Sequence, residues 1–271
     1  MEKAIIKVLN DLLKNKTIWI TGGTSGIGLE MTRQLLEQGA TVIVLARNEK
    51  KLLQLQDDAT LKKGNLMTQI IEMSNEDSIK QAVKTLFNKG ITVDVLINNA
   101  GIGIFDNILD SKSEEIREMF DVNVLGSITL IKEILPHMLK NQRGQIIQIA
   151  SQAGKLATPK SSVYGATKHA ILGFSNALRL ELADTPIQMT VVNPGPIRTP
   201  FFNVADKSGT YVTNMEKIML KPEIVAKKII RTIGSFKREL NLPWWMNFGA
   251  KIYHLMPGVI EKIASKQFNK K

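Results

Sequence analysis

Short apolar runs, rich in β-branched residues, recur along the chain, and helical patterns fill most of the gaps between them. The runs are TIWIT (17–21), TVIVLA (41–46), QIIEM (69–73), VDVLIN (93–98), GQIIQIA (144–150), IQMTVVN (187–193) and the weaker RELNL (238–242). Most are apolar on both faces, as strands must be when helices cover both sides of a sheet. The helical segments are 26–38, 48–62, 75–88, 112–140, 163–183 and 222–234. Strict alternation of this kind implies right-handed crossovers and one parallel sheet. The expectation is an α/β fold: a single doubly wound domain with a parallel seven-stranded sheet and helices on both faces. No internal repeat, low-complexity tract or linker divides the chain, so one domain spans 1–271 with its core at 15–242. Two segments flank that core. Ile5, Val8, Leu9, Leu12 and Leu13 recur at helical spacing and predict an amphipathic helix over 1–14, and residues 243–271 form a C-terminal extension.

A chain of 271 residues with 44% hydrophobic and 23% charged residues has an ordinary globular composition and can bury a large core. It has no cysteine, which excludes disulfides and thiolate chemistry. Its three histidines are far apart, and no metal site is expected. The N-terminus lacks the apolar core of a signal peptide, and no stretch reaches the roughly 20 apolar residues that span a bilayer. The reading is a cytoplasmic protein. The formal net charge is +11, concentrated at the end: residues 221–271 hold eleven Lys/Arg against three acids. Such a segment suits a solvated face, an anionic lipid surface or another acidic partner. Nucleic acid is not expected, because no recognisable binding module accompanies the charge.

TIWITGGTSGIGLEM joins the first strand to the first helix through Gly22, Gly26 and Gly28. One glycine permits a tight turn, another lets the backbone approach a pyrophosphate, and the third lets the helix pack on the strand. The second strand ends in VLARN. Sites selective for NAD usually carry an acid there to bind the ribose 2′-hydroxyl. Here Ala46 and Arg47 stand instead, and a guanidinium can hold a 2′-phosphate with two hydrogen bonds. The cofactor expected is therefore NADP(H), bound to a Rossmann-type domain.

SSVYGATKHA (161–170) places Lys168 one helical turn beyond Tyr164. A phenol is a poor base at neutral pH, and a nearby ammonium lowers its pKa. Ser151 follows the GQIIQIA strand, where its hydroxyl can donate to a carbonyl at the carboxyl edge of the sheet. Asn123 is a polar residue in an apolar helical stretch and needs buried partners.

TGGTSGIG (21–28), NNAG (98–101), Asn123, Ser151, Tyr164-x3-Lys168 and NPGPIRT (193–199), in this order, resemble the short-chain dehydrogenase/reductase family over roughly residues 15–242. The resemblance implies hydride transfer between NAD(P) and a carbonyl/alcohol pair. It makes Asn123, Ser151, Tyr164 and Lys168 the catalytic set. Tyr164 would be the general acid in reduction, and Ser151 would hold the substrate oxygen. Lys168 would bind the nicotinamide ribose and lower the tyrosine pKa. Asn123 would anchor a water linking Lys168 to solvent. The same resemblance implies cofactor contacts from Gly22, Thr24, Ser25, Gly26, Ile27 and Gly28 in the first loop and from Arg47 and Asn48 after the second strand. Glu72 and Met73 would border the adenine. Asn99, Ala100 and Gly101 would line the central edge, with Asn98 supporting the strands. Tyr164, Lys168, Pro194, Gly195, Ile197 and Thr199 would surround the nicotinamide.

Two features depart from the common pattern. Glu72-Met73 replaces a frequent Asp-Val, and the chain runs 29 residues past the last strand where many tetrameric members end in a glycine-rich tail. The extended tail is similar to that of carbonyl reductases in the family. A homodimer through the long helices 112–140 and 163–183 is expected, or a tetramer.

Residues 200–220 contain Phe201, Phe202, Tyr211, Met215 and Met219, which suit a lid over a moderately hydrophobic carbonyl or alcohol substrate. In the tail, Trp244, Trp245 and Phe248 precede an apolar stripe of Val259, Ile260, Ile263, Ala264 and Phe268 with lysines largely away from it. That pattern suits either docking on the body, with the aromatics capping the substrate pocket, or peripheral membrane contact through 243–271. A protein of another class, an NADP(H)-binding sensor or scaffold without turnover, could use the same fold.

Overall fold

The computed structural model describes residues 13–14, 16–61, 64–206 and 209–268. Seven parallel strands form one sheet: β1 (Thr17–Thr21), β2 (Thr41–Ala46), β3 (Asn65–Ile70), β4 (Val95–Asn98), β5 (Gly144–Ile149), β6 (Ile187–Pro194) and β7 (Glu239–Leu242). Their order is β3-β2-β1-β4-β5-β6-β7. The chain leaves β1 toward β2 on one side and later returns as β4 on the other, so the sheet has its switch point between β1 and β4. This is the expected single Rossmann-like domain.

Alternation within the strands splits the core in two. Ile18, Ile20, Val42 and Val44 face one side, where Leu35 and Ile229 cover them. Trp19, Ile43 and Leu45 face the other, against Leu86, Leu130 and Ile134. Of the leading helix expected over 1–14, all but the last two residues lie outside the described residues; Leu13 is fully buried in the first of these cores.

The third strand is displaced from its expected place at 69–73. As an edge strand it pairs only with β2, and Asn65, Thr68 and Gln69 give it a polar character that hides it from an apolar search. Ile71 and Met73, which drew attention to the later segment, are buried just beyond it.

The crossovers up to β5 carry α1 (Gly26–Glu37), α2 (Glu49–Asp57), α3 (Glu76–Asn88), α4 (Ser113–Phe120) and α5 (Ser127–Lys140). The helix expected over 112–140 runs from 113 to 140, widened by a π-helical segment at Asp121–Gly126 where α4 passes into α5. Gly126 explains part of this. A Cβ there would lie 2.0 Å from the Met73 carbonyl oxygen, so the wide turn presses backbone directly on backbone. The chain continues through α6 (Ser162–Glu181), two short helices, α7 (Phe201–Ala205) and α8 (Thr210–Met215), and α9 (Pro222–Ile230).

The tail forms two helices, α10 (Trp244–Leu255) and α11 (Pro257–Phe268). Pro257 opens α11, where its missing N–H is harmless. The side chains of Ile263, Ala264, Lys266 and Phe268 lie outside the described residues, as do Lys270 and Lys271. The tail docks on the body, but not through its tryptophans or Phe248. Trp244, Trp245 and Phe248 are exposed, while Ala250 is buried and Met246 and Asn247 are half-buried. These three do not cap a pocket, because the helix turns Met246, Asn247 and Ala250 inward; Tyr253, half-buried, lines a cavity with Ala153, Pro159 and His169 instead.

Candidate active site

β1 delivers the chain to Gly22 (φ 66°) and Gly26 (φ 54°), both in the left-handed region that favours glycine. Gly28 is required for a different reason: a Cβ would lie 2.2 Å from the Gly22 carbonyl oxygen. The turn thus folds tightly over the start of α1, with Thr24, Ser25 and Ile27 along it and Ser25 exposed at the helix entrance.

Across the switch point, Asn99 donates to the Thr21 carbonyl at 2.9 Å. The Thr21 hydroxyl accepts the N–H groups of Asn99 and Ala100, each at 2.8 Å. Asn98 ties the central strands, donating to the Ser127 carbonyl and to Gln148. Thr199 closes the other side, its Cβ 3.4 Å from where a Gly26 Cβ would stand. A glycine cradle whose free space side chains would fill, open at the carboxyl edge of the sheet, fits a dinucleotide.

Arg47 projects from the end of β2 with an exposed side chain, 3.6 Å from Glu118 and 4.0 Å from Glu72. Glu118 carries no motif and was not legible as a site residue. Asn48 caps α2 by accepting from the Lys51 N–H. The other carboxylate oxygen of Glu72 accepts from the Ser74 N–H and hydroxyl, and Met73 is buried beside it.

Tyr164 and Lys168 sit one turn apart on α6, and the Lys168 Nζ lies 5.7 Å from the tyrosine ring centre. Lys168 is buried and donates to the Ile149 carbonyl at 3.2 Å, so it is anchored at the end of β5. Burial depresses its pKa to about 8. Burial also raises the Tyr164 phenol to about 12, against the opposing pull of a hydrogen bond with Ser151. The sequence expectation was the reverse, a phenol lowered by its lysine. Desolvation of the enclosed phenol dominates here, and the opposing influence comes from Ser151 rather than from the lysine.

Ser151 begins the 152–154 turn, accepting from the Ala153 N–H at 3.0 Å and donating weakly to the Pro194 carbonyl at 3.5 Å. Asn123 lies in the π turn and is fully engaged. Its oxygen accepts from the Ile102 N–H, and its amide donates to the Ile102 carbonyl and the Thr167 hydroxyl. It clamps the loop after NNAG so that Gly101 lies between Asn123 and Lys168, which a Cβ at Gly101 would approach to 3.1 and 3.6 Å.

Over Tyr164 lies an aromatic wall whose centre the sequence reading did not single out. Phe105 contacts Tyr164, Phe201, Phe202 and Tyr211, with ring centres 5.0–6.3 Å apart. Its N–H also donates to the Ala205 carbonyl at 2.8 Å, fastening the end of α7. Gly103 makes room, since a Cβ there would lie 2.6 Å from Phe201. Phe105 stands alone in a long connection, so no periodicity marks it. Gly195 and Ile197, next to Pro194 in the β6 turn, border the opposite side; the tail's Met246 packs where a Gly195 side chain would be, and Ile197 is buried.

A glycine cradle at the switch point and a phenol–ammonium pair beside it define a nucleotide-dependent oxidoreductase architecture. The family model described as short chain dehydrogenase matches residues 16–208, and the chain belongs to the short-chain dehydrogenase/reductase family. It is 35% identical over 238 residues to dehydrogenase/reductase SDR family member 7B of Xenopus laevis, covering 84% of this chain and 74% of that one. The closed form of a serine dehydrogenase complexed with NADP+ superposes with a TM-score of 0.76 at 29% identity, over 83% of this chain and 94% of that chain. A 3-ketoacyl-(acyl-carrier-protein) reductase from Brucella melitensis complexed with NADH gives 0.74 at 26% identity, over 85% and 97%. Similar folds thus carry either dinucleotide, and the residue at the end of β2 bears on the choice.

Proposed function

We propose that the protein is an NADP(H)-dependent oxidoreductase acting on the carbonyl/alcohol pair of a moderately hydrophobic small molecule. The observation that carries this reading is Tyr164, placed next to Ser151 and Lys168 at the carboxyl edge of the sheet and walled by Phe105 and Phe201.

The bound cofactor would supply or accept the hydride. The chain's own residues would handle the oxygen and its proton. With a pKa near 12, the Tyr164 phenol stays protonated at neutral pH and can donate to a carbonyl oxygen. Ser151 would donate a second hydrogen bond to the same oxygen. Lys168, charged below about pH 8, would stabilise the phenolate left behind. Asn123 would act by positioning, holding the Gly101–Ile102 backbone against Lys168, rather than by offering a free amide to water. Arg47 would bind the 2′-phosphate, with Thr199, Pro194 and Gly195 near the nicotinamide. The aromatic wall would exclude water and favour apolar substrates.

The core at 15–242 would work as a homodimer through the long helices, where Leu125 and Leu180 offer exposed apolar contacts. The test is NADPH consumption by the purified protein against aldehydes, α-diketones, quinones, β-ketoesters and sterol ketones. Turnover on an apolar carbonyl is expected. Tight NADPH binding with no turnover on any of them would favour a sensor or scaffold instead.

A further inference from the structure

The extension after β7 has two different faces. On its inner side, Met246 packs where a Gly195 side chain would stand, Asn247 accepts from Lys155 at 2.9 Å, and Ala250 is buried. The Tyr253 hydroxyl donates to Glu261 at 2.7 Å and fastens α11 to α10. The helix orientation is therefore set by contacts with the body. Its outer side carries Trp244, Phe248 and Leu255 at helical spacing, 75%, 61% and 82% exposed, with Trp245, Met256 and Val259 beside them. An apolar patch of this kind on an oriented helix marks an interaction surface.

We infer that this outer face rests on an anionic lipid surface. Two features select that occupant. The residues from 243 to 271 include five lysines and one glutamate, and that glutamate is engaged by Tyr253. A second copy of the chain would bring like charges together, whereas an anionic headgroup layer complements them. The apolar residues are led by tryptophan and phenylalanine, side chains suited to the boundary between headgroups and acyl chains. No helix among the described residues is long and apolar enough to cross a membrane, so the contact lies in the plane of the interface. Because the inner side of the same helix touches Gly195 and Lys155, the border of the candidate active site sits at the lipid surface. The inference holds whatever the cofactor or reaction.

The experiment uses the full chain and vesicles of phosphatidylcholine with or without phosphatidylserine, at low salt. The protein floats with the phosphatidylserine vesicles and is released by salt. Tryptophan emission shifts to the blue on binding; Trp19 is fully buried, so the shift reports Trp244 and Trp245. The variant Trp244→Ser/Trp245→Ser/Phe248→Ser partitions about tenfold less or worse. A second variant, Lys251→Glu/Lys262→Glu, keeps the apolar face and loses several-fold in binding to phosphatidylserine vesicles, which covers the case where the first fails to fold. Absence of flotation by the natural chain overturns the inference. So does unchanged flotation of both variants. If neither protein binds vesicles but the triple variant lowers the mass seen in light scattering, the face belongs to a second copy and the inference is wrong.

Discussion

The Lys155 ammonium donates to the Glu239 carboxylate at 2.6 Å, joining the turn that follows Ser151 to the first residue of β7. The same ammonium donates to Asn241 at 3.0 Å and to Asn247 of the tail at 2.9 Å. One largely buried cation thus holds the loop beside the candidate catalytic serine, the last strand and α10 in register. Burial alone would raise the Glu239 carboxyl. The hydrogen bond and charge of Lys155, helped by Asn241, bring it below the ordinary glutamate value.

Lys155→Met leaves Glu239 half-buried and without its cation. The expected loss is about 1–3 kcal/mol, discounted for partial exposure, and urea unfolding at pH 7 measures it. The pH dependence has a definite sign. A depressed carboxyl pKa stabilises the fold above the unfolded value, and that stability is lost as pH falls through the folded value. The variant should lose this part of the acid sensitivity, which falls below the ordinary glutamate value.

Tyr164→Phe keeps the ring in the aromatic wall and removes the proton donor. The turnover rate should fall by about 10²–10⁴-fold or more. Cofactor binding, followed by fluorescence titration, should survive. Turnover like that of the natural chain would eliminate the proposed mechanism.

Arg47→Asp replaces the proposed phosphate partner with a third carboxylate near Glu72 and Glu118. Charge-assisted hydrogen bonds are worth roughly 1.5–3 kcal/mol. The ratio of kcat/KM for NADPH over NADH should therefore drop by about an order of magnitude or more. An unchanged ratio would reduce Arg47 to a surface charge.

Lys168→Met should separate stability from activity. Depression of the lysine pKa from 10.5 to about 8 corresponds to a folding penalty on the order of 3 kcal/mol at neutral pH. Methionine removes the charge and fills similar space, so the variant should unfold at higher urea while losing turnover. In the natural chain the unfolded state binds more protons between about pH 8 and 10.5, and stability from this group rises across that window. Tyr164, raised from 10.0 to about 12, acts the other way above pH 10. A stability curve flat from pH 8 to 10, together with an unstabilised variant, would contradict this account.

The sheet was legible because burial on both faces demands long apolar runs, and those runs and their helical spacers can be read one residue at a time. The edge strand β3 escaped, since Asn65, Thr68 and Gln69 meet only one neighbouring strand and need not be apolar. Gly22 and Gly26 were legible because a left-handed backbone favours glycine, and Gly28 because the Gly22 carbonyl leaves no room for a side chain. Helical spacing puts Tyr164 and Lys168 on one face, and the glycine turn, Asn123 and Ser151 that accompany them made the pair legible as a site through the family resemblance.

The sequence by itself therefore determined the layered α/β architecture, the glycine turn and the residues gathered at one sheet edge. Only the tertiary structure decided how they interact. It placed Phe105 over Tyr164, joined Lys155 to Glu239 across 84 positions of chain, and turned the tail's tryptophans outward. It also reversed the expected displacement of the tyrosine pKa, because desolvation depends on everything packed around a group. Contacts between residues distant in sequence, and the electrostatics of burial, follow from packing in three dimensions and leave no periodic signature in the chain.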